Sequence, residues 1–289
     1  MLSQLRVNLR PARRPLNRLL RTRMVSALVT PHRVDDYLEL IDPIWSVQAV
    51  RAQVVQFRDE TRRAVSIWLQ PNELWAGFRA GQYVRLTVRN RGVQHVRCFS
   101  ISSAPEDGLP LRVTIQTVVD GQVSEWARQH VERGDIVELS QAAGDFVLPI
   151  GPVPRLSFIT AGSGLTPVMS MARQLAHMQH AGEIYWLHYS RDEVLLADEL
   201  CELESTLPGL RLIVVPTGRR AGCRADKHFS ETQLRQHVPG YETCETYACG
   251  PHALLDAVTA LYAERGLSDK LHTERFVAVD CQHPQLVGV

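Results

Sequence analysis

No acidic residue precedes Asp35 in this 289-residue chain. No stretch approaches the roughly 20 consecutive apolar residues that a membrane-spanning helix needs. The N-terminus also lacks the apolar core of a secretory signal, so the expected location is the cytoplasm. The six cysteines (Cys98, Cys201, Cys223, Cys244, Cys249 and Cys281) are too scattered for a disulfide framework and suit reduced thiols. A cluster-binding loop is missing as well. Cys244 and Cys249 have the spacing that opens a plant-type iron–sulfur loop, but His252 stands where the next cysteine would be. Net charge is nearly absent: 32 basic against 31 acidic residues gives +1, which excludes a general attraction to nucleic acid. What remains, with 45% hydrophobic and 22% charged residues, is a globular composition at a length suited to two domains.

The charge balance hides an asymmetry. Residues 1–45 read as a basic extension: Arg6, Arg10, Arg13, Arg14, Arg18, Arg21, Arg23 and Arg33 all precede the first acid, with Leu16, Leu19, Leu20 and Met24 interleaved at near-helical spacing. Residues 1–33 suit either peripheral contact with a membrane face or partner protein, or packing on the chain's own body. A short helix over 35–42, closed by Pro43, follows.

From residue 46 to 150 the pattern has period two, broken by turns. Strands are expected over 51–58, 64–69, 83–88, 97–102, 112–118 and 136–140, separated by turns such as Asn90-Arg-Gly92 and Gly134-Asp135. Six short strands so punctuated predict a small antiparallel barrel. One helix interrupts it over 124–132, with Ser124 as its N-cap.

Beyond Gly151-Pro-Val-Pro154 the texture changes to strand-like runs alternating with helical ones. Strands are expected over 156–161, 184–189, 210–216, 246–249 and 271–276, and helices over 167–180, 196–206, 230–237 and 252–265. This alternation over 151–276 predicts a doubly wound parallel sheet with helices on both faces. Residues 277–289 read as a tail or linker.

Three local patterns carry chemistry. In the run Arg97-Cys98-Phe99-Ser100, the guanidinium suits a phosphate, the ring an isoalloxazine, and the hydroxyl a ring nitrogen. Alone, such a run is more often a plain barrel strand. Gly121-Gln-Val123-Ser124 exposes backbone N–H groups at a helix start, which suits a pyrophosphate. Ala161-Gly162-Ser-Gly164-Leu-Thr166-Pro167 joins the first strand of the second half to its first helix. Its glycines permit close approach of a phosphate, with Thr166 as cap and Pro167 at the first helical position. It is not the Rossmann fingerprint, because Pro167 stands at the third glycine. Cys249-Gly250-Pro251 ends the fourth strand at the edge where such sheets bind ligands.

In order, these motifs resemble the ferredoxin–NADP reductase superfamily over residues 47–276. The family's Arg-x-Tyr-Ser motif is similar to Arg97–Ser100, its Gly-x-x-Ser to Gly121–Ser124, and its Gly-x-Phe to Gly144-Asp-Phe146. Its glycine loop resembles 161–167, its Cys-Gly-Pro resembles 249–251, and its C-terminal Glu-x-Phe resembles Glu274-Arg-Phe276. The resemblance implies FAD on the barrel and NADPH, or NADH, on the α/β half, with hydride passing to flavin and single electrons onward. It implies Ser100, Cys249 and Glu274 at the reacting centre. Arg97, Cys98, Phe99, Ser100, Gly121, Val123, Ser124 and Phe276 would hold FAD. Gly162, Gly164, Thr166, Pro167, Arg191, Arg219, Cys249, Gly250 and Pro251 would hold the nicotinamide coenzyme. Arg191 and Arg219, after the second and third strands, are placed for a 2′-phosphate and favour NADPH.

Phe99 departs from the family's tyrosine and keeps the ring without the hydroxyl. The extension with Asp42-Pro-Ile-Trp45 resembles reductases of fatty-acid desaturases and related oxygenases. That implies a ferredoxin, or an iron–sulfur or diiron oxygenase or desaturase, as acceptor. Many such reductases continue into a [2Fe-2S] ferredoxin domain, and only Cys281 lies past residue 249. A separate ferredoxin and a longer natural chain both stay open. The same shortage of C-terminal cysteines speaks against the electron-transfer subunit of dihydroorotate dehydrogenase. A non-catalytic regulatory protein on this scaffold, acting through its basic arm, is the alternative from another class.

Overall fold

The computed structural model describes residues 34–276 apart from 91, 119–120, 152, 192 and 218–227. The basic segment 1–33, Arg219 and the tail 277–289 lie outside the described residues. Alternating apolar residues build the first sheet: β1 (Val50–Thr61), β2 (Ala64–Pro71), β3 (Tyr83–Asn90), β4 (Val93–Ser100), β5 (Leu111–Gln116) and β6 (Ile136–Leu139). They pair antiparallel in the order β4-β3-β6-β1-β2-β5. An antiparallel bridge between Ile101 and Val113, with Ser102 N–H donating to Arg112 O at 2.8 Å, joins the two outer strands into a barrel. Its interior is Val54, Val65, Ile67, Leu69, Val84, Leu86, Ile101, Leu111, Val113 and Ile115.

Helix α1 (Val34–Glu39) precedes the barrel. It ends before Pro43, because Ile41 and Asp42 N–H turn back to Leu38 O. Its Asp35 carboxylate accepts from Ser46 Oγ at 2.6 Å and from Val47 N–H at 2.8 Å, pinning the helix to the start of β1. Helix α2 (Gln122–Gln129) starts two residues earlier than expected, with Gly121 as N-cap. Ser124 is therefore not the cap. Its hydroxyl is buried, donating to Gly121 O at 3.0 Å and accepting from Val118 N–H at 3.3 Å.

The second sheet is parallel, in the order β11-β10-β7-β8-β9, from β7 (Arg155–Ala161), β8 (Glu183–Ser190), β9 (Leu210–Pro216), β10 (Glu245–Cys249) and β11 (Leu271–Glu274). Helices α3 (Leu165–His177) and α4 (Ala197–Thr206) cover one face through Phe158, Trp186 and Tyr247. Helices α5 (Glu231–His237) and α6 (His252–Glu264) cover the other through Ile159, Leu187 and Ala248. Strand order reverses between β7 and β10, and the crevice at their C-terminal ends is where such sheets bind ligands.

The barrel and the parallel sheet meet through close packing around Gly81. Its φ of +95° favours glycine, and an added Cβ would lie 2.1 Å from Phe146 O and 2.5 Å from Met171 Cε of α3. Phe146 in turn packs edge-on against Tyr247 of β10, with centroids 5.5 Å apart. Gly81→Ala should therefore cost on the order of 3 kcal/mol. A fall in the urea midpoint without a change of slope checks this, and an unshifted midpoint counts against the packing described.

Candidate functional site

Three strand ends converge at the crevice. The register aligns Thr160 of β7 with Cys249 of β10, and Cys249 with Glu274 of β11. Parallel neighbours in register share a face, so these side chains form a row facing the α3 side. Ser100, the last residue of β4, completes the group from the barrel, with Oγ 3.5 Å from Glu274 Oε2. Ser100, Cys249 and Glu274, separate in sequence, are thus brought together. Burial pushes the Glu274 carboxyl up to about 7, with the Ser100 hydrogen bond opposing it. The carboxyl is therefore half-protonated near neutrality. Cys249 is fully buried, and burial, with the Glu274 charge adding, drives its thiol well above the ordinary range. It is a neutral lining group and not a thiolate nucleophile.

Two glycine turns hold the crevice tight. An added Cβ on Gly164 would lie 2.1 Å from Cys249 O, and one on Gly250 3.2 Å from the Ala161 Cβ. The loops after β7 and β10 therefore touch backbone to backbone. Gly162 has φ +54° and opens a 3₁₀ turn that leads into α3. Gly164 is the N-cap of that helix, so Thr166 and Pro167 are its second and third residues and not its cap and first position. The Thr166 hydroxyl donates backward to Ser163 O at 2.9 Å. Neither α3 nor α2 has a side chain capping its N-terminus. Both helix starts keep N–H groups and positive dipole ends for an anion.

Strand alternation divides the Arg97–Ser100 run. Arg97 and Phe99 pair with Leu86 and Val84 and share their inward face, with Phe99 packed on the barrel core. Cys98 and Ser100 lie on the outer face, Cys98 exposed and Ser100 buried. Among the described residues β4 pairs only with β3 along its length, so its two faces meet at the other edge. One extended ligand lying along that edge can reach both. Arg97 Nη1 donates to Val96 O at 2.7 Å. Val123 is buried in the barrel core and offers only its backbone. Pro251 is the N-cap of α6, Arg191 is exposed after β8, and Phe276 is 41% exposed two residues past Glu274.

Sequence reasoning missed a buried polar relay beside this row. Thr160 Oγ1 lies 2.8 Å from His188 Nδ1 and accepts from Trp186 Nε1 at 2.8 Å. Burial lowers His188 to about 4, so its ring is neutral at pH 7. The hydroxyl that ends the strand run Leu-Ser-Phe-Ile-Thr160 was the available signal. Its partners on β8 needed the register.

Comparison with known proteins shows the family. Residues 158–260 match the oxidoreductase NAD-binding domain. A Mycobacterium tuberculosis NADPH oxidoreductase is 33% identical over 262 residues, covering 88% of this chain and 67% of that protein. The chain belongs to the ferredoxin–NADP reductase-like family. It is an NAD(P)H-dependent oxidoreductase, and FAD and NAD(P)H are the cofactors the family fold implies. The glycine turns and the uncapped starts of α2 and α3 suit the phosphates of two such nucleotides. The glycine betaine monooxygenase reductase subunit of Chromohalobacter salexigens is 27% identical, covering 70% of this chain and 56% of its own length. A cytochrome P450 reductase from Amycolatopsis superposes with a TM-score of 0.69 at 25% identity, covering 79% of this chain and 70% of that one. This chain thus spans about two thirds or less of the curated relatives named here.

The raised Glu274 carboxyl gives a signed stability prediction. Its folded value lies above its unfolded value, so its contribution is full below about 4.5 and is lost as pH rises through about 7. The loss is at most about 3 kcal/mol. Glu274→Gln should leave Tm nearly unchanged at acid pH and raise it relative to the parent at pH 8. Parallel Tm curves for the two proteins would remove Glu274 as the titrating group.

Proposed function

We propose that this reductase takes hydride from NADPH onto FAD and releases electrons singly to a ferredoxin or to an iron–sulfur or diiron oxygenase or desaturase. The observation that carries the reading is the Ser100–Glu274 contact, supported by an uncapped helix start in each half that suits a phosphate. FAD, when bound, supplies the conversion from a two-electron donor to a one-electron acceptor. The chain supplies the surroundings. Arg97 pairs with a flavin phosphate, and the backbone of Gly121, Val123 and Ser124 receives the pyrophosphate. Phe99 and Cys98 border the flavin, and Phe276 covers an exposed ring face. Gly162, Gly164, Thr166 and Pro167 seat the coenzyme pyrophosphate. Cys249, Gly250 and Pro251 border its nicotinamide, and Arg191 with Arg219 selects the 2′-phosphate. The Ser100 hydroxyl holds or passes a proton with the Glu274 carboxyl, which is half-protonated near neutrality.

The acceptor class rests on relatives named as reductases of a monooxygenase and of a cytochrome P450. The eight arginines of 1–33 suit an acidic acceptor or an anionic membrane face on which that acceptor sits. An apolar patch just after that segment supports the second: Leu40 is 84% and Ile41 70% exposed beside half-exposed Tyr37. Among the described residues no helix is long and apolar enough to cross a membrane.

Two measurements test the reading. An anaerobic absorption spectrum should show flavin bands that NADPH bleaches faster than NADH. Bands bleached by neither would favour a regulatory protein, and no flavin after FAD addition would overturn the reading. Deleting residues 1–33 should leave reduction of a small dye intact and weaken reduction of the physiological acceptor. Loss of dye reduction would make the arm part of the fold instead.

A further inference from the structure

Away from the crevice, one carboxylate gathers three guanidinium groups where the barrel meets the parallel sheet. Glu199 lies on α4. Arg112 of β5 donates from Nη1 to its Oε1 at 2.8 Å and from Nη2 to its Oε2 at 2.9 Å. Arg58 of β1 donates from Nη2 to Oε1 at 2.7 Å, and Arg173 of α3 pairs with Oε2. Two cations therefore come from the barrel, while the third comes with the carboxylate from the α/β half. Arg112 is the most buried, with a side chain 3% exposed and its guanidinium 5.3 Å from the Trp68 ring centroid. Burial pushes both Arg112 and Arg173 down to about 10, and a neighbouring arginine adds to the fall in each. The two cations face one another in a poorly solvated place; the Glu60 and Asp107 charges offset this at both and Glu202 at Arg173, while Glu199 is the carboxylate that both guanidinium groups touch.

This knot is mechanically close to the crevice. Arg112 O accepts the Ser102 N–H at 2.8 Å, and Arg112 Nε donates to Ser102 Oγ at 3.2 Å. Arg173 Nη1 donates to Ser102 O at 3.2 Å. Ser102 is two residues from Ser100. Helix α3 is fastened to the same segment by Ser170 Oγ, which donates to Ser103 O at 2.6 Å, and by His177 against Asp107 at 2.6 Å. At its other end α3 carries the Gly162–Gly164 turn. An open groove of about 390 Å³ lined by Asp107, Arg173, His177, Glu199, Glu202 and Leu203 borders the knot between α3 and α4.

We propose that Glu199 is a positioning residue for hydride transfer: it cancels the repulsion between Arg112 and Arg173 and thereby fixes the approach of Ser100 to Glu274. The proposal rests on the reading that hydride passes between a ligand of the barrel and a ligand of the α/β half. Without the shared charge, the like-charged faces part, and the change reaches Ser100 through Ser102. A displacement on the order of 1 Å at the reacting centre is enough to slow chemistry about 100-fold.

The test is anaerobic stopped-flow reduction of the flavin-loaded full chain by NADPH. Glu199→Gln should slow the hydride step about tenfold or more. FAD content and coenzyme affinity should stay within about twofold of the parent, because neither nucleotide touches Glu199 under this reading. Added salt should shrink the defect, since Arg58 opens the knot to solvent. The double variant Glu199→Gln with Arg173→Gln removes the uncompensated cation and should return the rate to within about threefold of the parent. A parental rate in Glu199→Gln, or a double variant slower than the single one, overturns the proposal and leaves Glu199 a packing residue. Should Glu199→Gln fail to accumulate, the charge-balanced double variant decides alone: near-parental supports the proposal, and a tenfold loss overturns it. A parent chain that carries flavin and is reduced by neither nucleotide defeats the reductase reading instead, and is seen before any variant is made.

Discussion

The contact between the Ser100 hydroxyl and the Glu274 carboxyl joins two sheets built by different rules. The barrel side is antiparallel and closes on itself through Ile101 and Val113, which leaves the end of β4 facing outward. The other side is parallel and reverses its strand order beside β7, which leaves a crevice at the ends of β7 and β10. Neither sheet contains the site. It exists because Gly81, Phe146 and Tyr247 let the two approach closely, and because burial there keeps a carboxyl neutral enough to share a proton. The nucleotide chemistry assigned to the chain depends on that approach.

The joint between the halves is more polar than either core. Ala64, Ala80 and Phe146 join the apolar core of the α/β half, but the rest of the meeting surface relies on Arg58, Arg112, Arg173, Glu199, Asp107 and His177. Charged contacts are directional, so they set an angle between two bodies better than apolar contact does. They are also costly when incomplete, which makes the geometry sensitive to one missing charge.

Much of this architecture was legible in the chain. Period-two alternation through Val84, Leu86 and Val88 reads as a strand with one buried face, and the shift to longer alternating runs after Pro154 reads as a parallel sheet. The glycines at 162 and 164 pointed to the crevice, Gly162 through its positive φ and Gly164 because so close a backbone approach admits no Cβ. The helix starts were misplaced by one or two residues, since Ser124 and Thr166 look like caps but spend their hydroxyls on backbone groups within the turn. The division of Arg97 and Phe99 from Ser100 follows from strand alternation, yet the motif reads along the chain as one unit. The Glu199 knot was not legible: its partners stand 26, 87 and 141 residues away, and nothing local distinguishes them from a solvated surface.

Among the described residues β11 is the edge strand of its sheet, four residues long, and pairs only with β10. During synthesis it leaves the ribosome after every other strand described. A nascent chain halted just before it would already hold the closed barrel, both glycine turns and four of the five parallel strands. Such a product lacks the carboxyl that the Ser100 hydroxyl meets. The order of synthesis therefore brings the Glu274 carboxyl in after Ser100, Cys249 and both glycine turns.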